Sequence, residues 1–268
     1  MLRRIKTSVV LVVALVVILM FSDTLVLNVA VALVSLVAVR ELYNASLKDK
    51  QPLLLLPGSV FALVYPFGEY LPLPTGLYVY ALIVAIFLVV LRHHEEVHVR
   101  DGAMAFLCAY LVTAFLTCIV GIGRLPYGEF YVYLVFLIPW ASDSLAYLVG
   151  SAIGKRKMCP TISPHKTVAG GVAGLTGGPI IVLLFAALMK YVFMAEVSHL
   201  AFFVITAAVC SAISEVGDLS ASILKRQYGI KDFGHIFPGH GGMMDRFDSV
   251  IFVAPVVYYF LSYFPVLG

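Results

Sequence analysis

AMAFLCAYLVTAFLTCIVG, residues 103–121, runs without a single Asp, Glu, Lys or Arg. At 1.5 Å rise per residue a helix over this stretch is about 28 Å long, close to the roughly 30 Å hydrocarbon layer of a bilayer. Working outward, further apolar segments fall at 6–21, 24–40, 53–69, 76–91, 130–152, 170–194, 199–217 and 249–266. Together they make nine spans. Over the 268 residues, 62% are hydrophobic and 12% charged, and mean hydropathy is +1.01. A soluble domain carries about 45–50% apolar and about 25% charged residues. A soluble fold is excluded, and the chain reads as an all-α, polytopic membrane protein.

Two segments need comment. Pro57 and Pro66 interrupt the third span; proline is tolerated in membrane helices but kinks them. Arg3, Arg4 and Lys6 precede the first apolar run as in a signal peptide, but no small-residue cleavage site follows and the second span begins at once. An uncleaved first helix is expected. Cys108, Cys118, Cys159 and Cys210 form no C-x-x-C pair, and three of them lie in apolar runs, where a thiol behaves as a small hydrophobe.

Orientation follows from Lys and Arg in the connections. If alternate connections share a side, one side receives Arg3, Arg4, Lys6, Arg40, Lys48, Lys50, Arg92, Arg100, Lys155, Arg156, Lys157, Lys166, Lys225, Arg226, Lys231 and Arg246, which is 16 of the 18 basic residues. The other receives Arg124 and Lys190. The N-terminus is therefore expected in the cytoplasm. Residues 1–130 read as a transmembrane scaffold and 131–268 as the catalytic region of one integral domain, because the polar chemistry lies between Asp143 and Asp248.

An ionisable group inside a membrane helix costs about 2.5–3.5 kcal/mol on insertion scales, so each invites a functional reading. Asp143 lies within the sixth span, Asp218 at the inner end of the eighth, and Asp245 and Asp248 just before the ninth. On a helix Asp218, Ser222 and Lys225 share one stripe, and Asp245 and Asp248 share a face. Two carboxylates about 6 Å apart repel by roughly 3 kcal/mol at an effective dielectric near 20, so acids that converge require cations. Oxygen-only ligation suits Mg²⁺, which keeps waters and binds substrate phosphates. Lys225, Arg226, Lys231, His240 and Arg246, with Gly239, Gly241 and Gly242, suit phosphate groups, and the preceding loop adds Lys155, Arg156, Lys157, Ser163, His165, Lys166 and Thr167. Acids for a metal beside bases for phosphates describe metal-assisted phosphoryl or nucleotidyl transfer.

Ser222, Lys225-Arg226, Lys231-Asp232, Gly234, Pro238, His240-Gly241-Gly242, Asp245-Arg246 and Asp248 resemble, in order and spacing, the C-terminal motif of the CDP-diacylglycerol synthases, or phosphatidate cytidylyltransferases. Upstream, Asp143-Ser144, Ala146-Tyr147, Gly150, Gly154, Ser163-Pro164, Lys166-Thr167 and Gly170 resemble a second stretch of that family. The resemblance covers about 110 residues. His165 stands where the family often has a second Lys, and Ala169 where a Glu usually precedes the Gly.

The resemblance implies a nucleotidyltransferase: CTP and phosphatidic acid give CDP-diacylglycerol and pyrophosphate, and the charge count puts the site at the cytoplasmic face. A lack of targeting segments and the compact length fit a bacterial inner membrane. Asp218 and Asp245 would ligate Mg²⁺, with Asp143 and Asp248 completing or supporting a second cation site for K⁺ or another Mg²⁺. Lys225, Arg226, Lys231 and Arg246 would hold phosphates, and Ser222, Ser163, Lys166 and the His240, Gly241, Gly242 loop would position them. Beyond CTP, phosphatidic acid and the bilayer, a second copy of the chain is a candidate partner; no nucleic acid is expected.

Four other patterns need weighing. His94-Glu95-Glu96-Val97-His98 fits H-E-x-x-H, in which two His one helical turn apart bind zinc, so an intramembrane zinc metalloprotease is an alternative. Intramembrane acids also suit a cation or proton transporter, although the repeated halves common in transporters are missing. Gly150 to Lys155 is one residue short of a Walker A loop, and Arg156 stands where Ser or Thr is required. Gly170, Gly174 and Gly178 form a small-residue ridge for tight packing, within one subunit or between two.

Overall fold

The computed structural model describes residues 2–47, 50–71, 73–237 and 239–268, the side chains of residues 2–7 and of Gln51 excepted. Of the residues used above, Lys48, Pro238 and the side chains of Arg3, Arg4 and Lys6 lie outside the described residues. The chain is mostly helical. In order it forms α1 (Leu2–Leu19), α2 (Leu25–Ser46), α3 (Gln51–Val64), α4 (Thr75–Arg92), α5 (Val99–Gly123), α6 (Gly128–Tyr131) and α7 (Leu134–Ile153). Strands β1 (Lys157–Cys159) and β2 (Ser163–Thr167) follow, then α8 (Val168–Gly174), α9 (Gly177–Tyr191), α10 (Leu200–Gln227) and α11 (Met244–Tyr263).

Six stretches among the described residues are long and apolar enough to cross a membrane: Leu25–Ser46, Thr75–Arg92, Val99–Gly123, Gly128–Ile153, Val168–Tyr191 and Leu200–Gln227. Ser8–Leu19 and Pro52–Phe67 are apolar but shorter. Burial in α4 shows what the outer face meets. Leu82, Ile86 and Val90, spaced by four, are buried, while Leu88 and Leu91 are 61% and 69% exposed. Apolar side chains this exposed on a helix whose other stripe is already packed belong against lipid. This is an integral membrane protein.

The chain divides into two compact units, Met1–Val120 with Gln227–Phe247, and Gly121–Arg226 with Asp248–Gly268. In the first, α2 starts at Thr24, whose hydroxyl accepts the Val26 N–H, and runs on past the expected end at Arg40 to Ser46. Glu41, in this added stretch, is buried. The kink expected in the third span is a helix end: α3 contains Pro57, stops at Val64 and gives way to a 3₁₀ turn, Tyr65–Phe67, around Pro66.

In the second unit the basic loop is not wholly irregular. Contrary to an all-α reading, β1 and β2 pair antiparallel, with Lys157 opposite Thr167 and Cys159 opposite Ser163. Cys159 and Ser163 each precede a proline, which pushes a residue out of the helical region into extended backbone. Thr167 ends the hairpin and caps α8, its hydroxyl accepting the Gly170 N–H at 3.1 Å.

Small residues draw the helices of this unit together. A Cβ on Gly170 would stand 2.6 Å from the Ala146 carbonyl oxygen on α7. One on Gly217 of α10 would stand 2.8 Å from the Asp248 carbonyl oxygen on α11, where Ser249 Oγ also donates to the Ser214 carbonyl. Gly178 N–H donates to Ser211 Oγ at 3.0 Å. The glycine ridge thus packs inside the subunit. Each contact lies beside an acid in sequence or one turn from it, so close packing carries the acids inward.

Candidate active site

Asp143 (α7), Lys166 (β2), Glu215 and Asp218 (α10) and Asp248 (α11) come together in the second unit. Lys166 Nζ lies 2.7 Å from Asp218 Oδ2, with side-chain exposures of 22% and 30%. Asp143 is within electrostatic reach of Asp218, Lys166 and Glu215, and Asp248 within reach of Asp218, Lys225 and Asp143. Burial works against the Lys166 charge, but the Asp218 carboxylate, with Glu215 and Asp143 beyond it, outweighs that and holds the ammonium pKa above the usual lysine value. Four carboxylates share this neighbourhood, and the hairpin lysine is directed at one of them.

The helix that carries Asp218 extends past the expected end of the span to Gln227, so Ser222 follows one turn on and Lys225 and Arg226 occupy its last turn, where cations complement the helix dipole. Arg226 Nε donates to the Ile162 carbonyl at 3.4 Å, tying the end of α10 to the turn of the hairpin. Ser163 lies in β2, half-buried, opposite Cys159. Glu215 escaped sequence reasoning; its signal was available, since it precedes Asp218 by three positions on the same helix.

The remaining candidates belong to the first unit. Asp245 is buried, and its Oδ2 accepts N–H bonds from Phe233 at 2.8 Å and Gly242 at 3.0 Å. The loop between turns on itself through Phe237 N–H to Gly241 O and His240 N–H to Phe237 O, with Gly241 at φ +83°. Ser8 Oγ and His240 Nε2 are hydrogen-bonded at 2.8 Å. Lys231 and Arg246 are exposed. Glu41, the second acid that sequence reasoning missed, accepts the N–H groups of Met243 and Met244 at the start of α11.

Among the described residues no three His, Cys, Asp or Glu side chains converge into a metal cage. That weighs differently on the two metals considered. A catalytic zinc site takes three protein ligands, and residues 93–96 are a turn between α4 and α5, so His94 and His98 do not share a helical face as H-E-x-x-H requires. Mg²⁺ takes one or two carboxylates and completes its shell with water and substrate phosphate. The hard oxygen donors of Asp143, Asp218 and Asp248 fit that ion.

A sequence profile described as the cytidylyltransferase family matches residues 2–264. A phosphatidate cytidylyltransferase of Staphylococcus epidermidis is 32% identical over 238 residues, 84% of this chain and 85% of that protein. One from Bacillus subtilis is 43% identical over 138 residues, 52% of this chain and 49% of that protein, and one from Thermotoga maritima is 37% identical over 147 residues, 55% and 54%. The matches to these last two relatives span about half of their length.

Proposed function

The chain belongs to the cytidylyltransferase family, and from that premise we infer that it transfers the cytidylyl group of CTP to phosphatidic acid, forming CDP-diacylglycerol and pyrophosphate. The observation that carries the reading is the contact of Lys166 with Asp218 amid Asp143, Glu215 and Asp248, since it joins the two sequence stretches that resemble the family. A phosphate oxygen of the lipid forms a bond to the α-phosphorus, and the bond from that phosphorus to the β-bridging oxygen breaks. Both partners are anions, so the site must offset their repulsion and align them. Lys225 and Arg226, in the last turn of α10, and Lys166 hold phosphate oxygens, with Ser222 and Ser163 positioning them. Lys231, Arg246 and the His240–Gly242 loop offer the same chemistry in the other unit.

Asp218, Asp143 and Asp248 would hold Mg²⁺, with a second cation, K⁺ or Mg²⁺, in the same acid group, while Asp245 holds the loop of its own unit through Phe233 and Gly242. Bound there, Mg²⁺ would neutralise charge developing on the transferred and leaving phosphates. No protein nucleophile takes part. Nine crossings with a cytoplasmic N-terminus place the acids and bases on the side where CTP is found, in a bacterial inner membrane; the 16-to-2 division of basic residues supports that topology.

The test is transfer of label from [α-³²P]CTP into a chloroform-soluble product by purified protein supplied with phosphatidic acid. Transfer is expected with Mg²⁺, is abolished by EDTA, and falls at least about a hundredfold in Asp218→Asn, in line with losing a charge-stabilising group in a preorganised site. Wild-type turnover in that variant at saturating Mg²⁺ overturns the metal assignment, and absence of label transfer in the native protein overturns the reaction.

A further inference from the structure

Glu41 lies in α2, far from the motif residues in sequence, and is only 5% exposed. Its Oε1 accepts the Met243 N–H at 3.0 Å and its Oε2 the Met244 N–H at 2.8 Å, across sequence separations of 202 and 203 residues. Two glycines of the motif loop make room for it. A Cβ on Gly234 would collide with Glu41 Oε1 and stand 2.7 Å from Cδ, and one on Gly242 would stand 2.5 Å from both Cδ and Oε2. The carboxylate is therefore enclosed by the loop backbone.

Satisfying the first N–H groups of a helix does not require such an arrangement. A Ser, Thr, Asp or Asn just before α11 would do it locally. Here the acceptor is a buried acid from a distant helix, within electrostatic reach of a second buried acid, Asp245. Like charges held close in a poorly solvated place are costly. What the cost secures is the shape of the loop. Asp245 fixes Phe233 and Gly242, Ser8 meets His240, and Glu41 fixes the two residues after Gly242. Remove Glu41, and the end of the loop that carries Gly241 and Gly242 loses two of the hydrogen bonds that hold it.

We propose that Glu41 is a positioning residue for the nucleotide: by clasping the Met243 and Met244 backbone it holds the His240–Gly242 loop in the form that receives the phosphates of CTP. The inference rests on the cytidylyltransferase reading for its ligand and on geometry alone for the clasp. It gives α2 an indirect part in the chemistry, exerted through the loop backbone.

Hydrogen–deuterium exchange of the protein in detergent, together with steady-state kinetics, tests both parts. In Glu41→Ala, amide exchange in the segment 239–246 is expected to rise at least tenfold, with segments of α7 and α10 unchanged. KM for CTP is expected to rise at least fivefold while KM for phosphatidic acid stays within twofold. Glu41→Gln, which keeps one acceptor oxygen but turns an NH₂ toward the other N–H, is expected to fall between the native protein and Glu41→Ala on both readouts. Unchanged exchange in 239–246 overturns the clasp. Looser exchange with an unchanged KM for CTP, or a fall in kcat alone, reduces Glu41 to a structural cap and overturns the positioning role. If the native protein transfers no label at all, the reaction assigned to it fails, whereas the exchange result still decides the clasp.

Discussion

Lys166 and Asp218 show how a single contact can organise a site inside a membrane protein. The pair is half-buried at 2.7 Å, and Asp218, Glu215 and Asp143 all favour the lysine charge. Lys166→Met leaves Asp218 facing Asp143, Glu215 and Asp248 with that charge removed. A fully buried pair broken on one side costs about 3–5 kcal/mol and a surface pair about 0–1 kcal/mol; for this intermediate exposure a loss of about 1–2 kcal/mol is expected. The double variant Lys166→Met/Asp218→Asn should recover most of it, because the orphaned charge goes too. Denaturation midpoints of the three variants and the native protein in one detergent close the cycle, and additive losses would deny the coupling.

At the scale of the helices, packing is set by residues too small to attract notice. Gly178 faces the Ala207 backbone so closely that a Cβ would collide with its carbonyl oxygen and stand 2.7 Å from Ser211 Oγ, whereas Gly76, near the start of α4, has open space around it. Gly178→Ala should therefore lower the thermal midpoint by several degrees, since backbone against backbone cannot yield cheaply. Gly76→Ala should leave it unchanged or raise it slightly, alanine being favoured by up to about 1 kcal/mol at an unhindered helical position. Equal midpoints for the two variants would deny that this contact matters.

The apolar runs announced the helices, and the spacing of Asp218, Ser222 and Lys225 announced the stripe on α10, because helical periodicity is local. The β1–β2 hairpin was not legible: Pro160 and Pro164 forbid helix there, but pairing of Cys159 with Ser163 depends on the turn between them. Nor was Glu41, which beside Arg40 reads as the charged end of a span. Its burial depends on N–H donors two hundred residues away. Glu215 could have been recognised from its place on the Asp218 stripe, yet only the packing of α10 on its neighbours shows Asp143 and Lys166 within its field.

For the molecule as a whole, the division of basic residues gives a topology that labelling can test. In a Cys159→Ala background, since Cys159 is itself partly accessible, a cysteine at Lys155 should react with a membrane-impermeant maleimide only in inside-out vesicles. A cysteine at Lys190 should react only in right-side-out ones. Labelling of both from one side would change the number of crossings between them. A different consequence follows from the lysine held against Asp218. A pocket of carboxylates left bare would scavenge divalent ions from its surroundings, but this protein brings its own counter-ion on a short hairpin. If the proposed reaction holds, the ion expected to succeed there is one that arrives already chelated by a triphosphate.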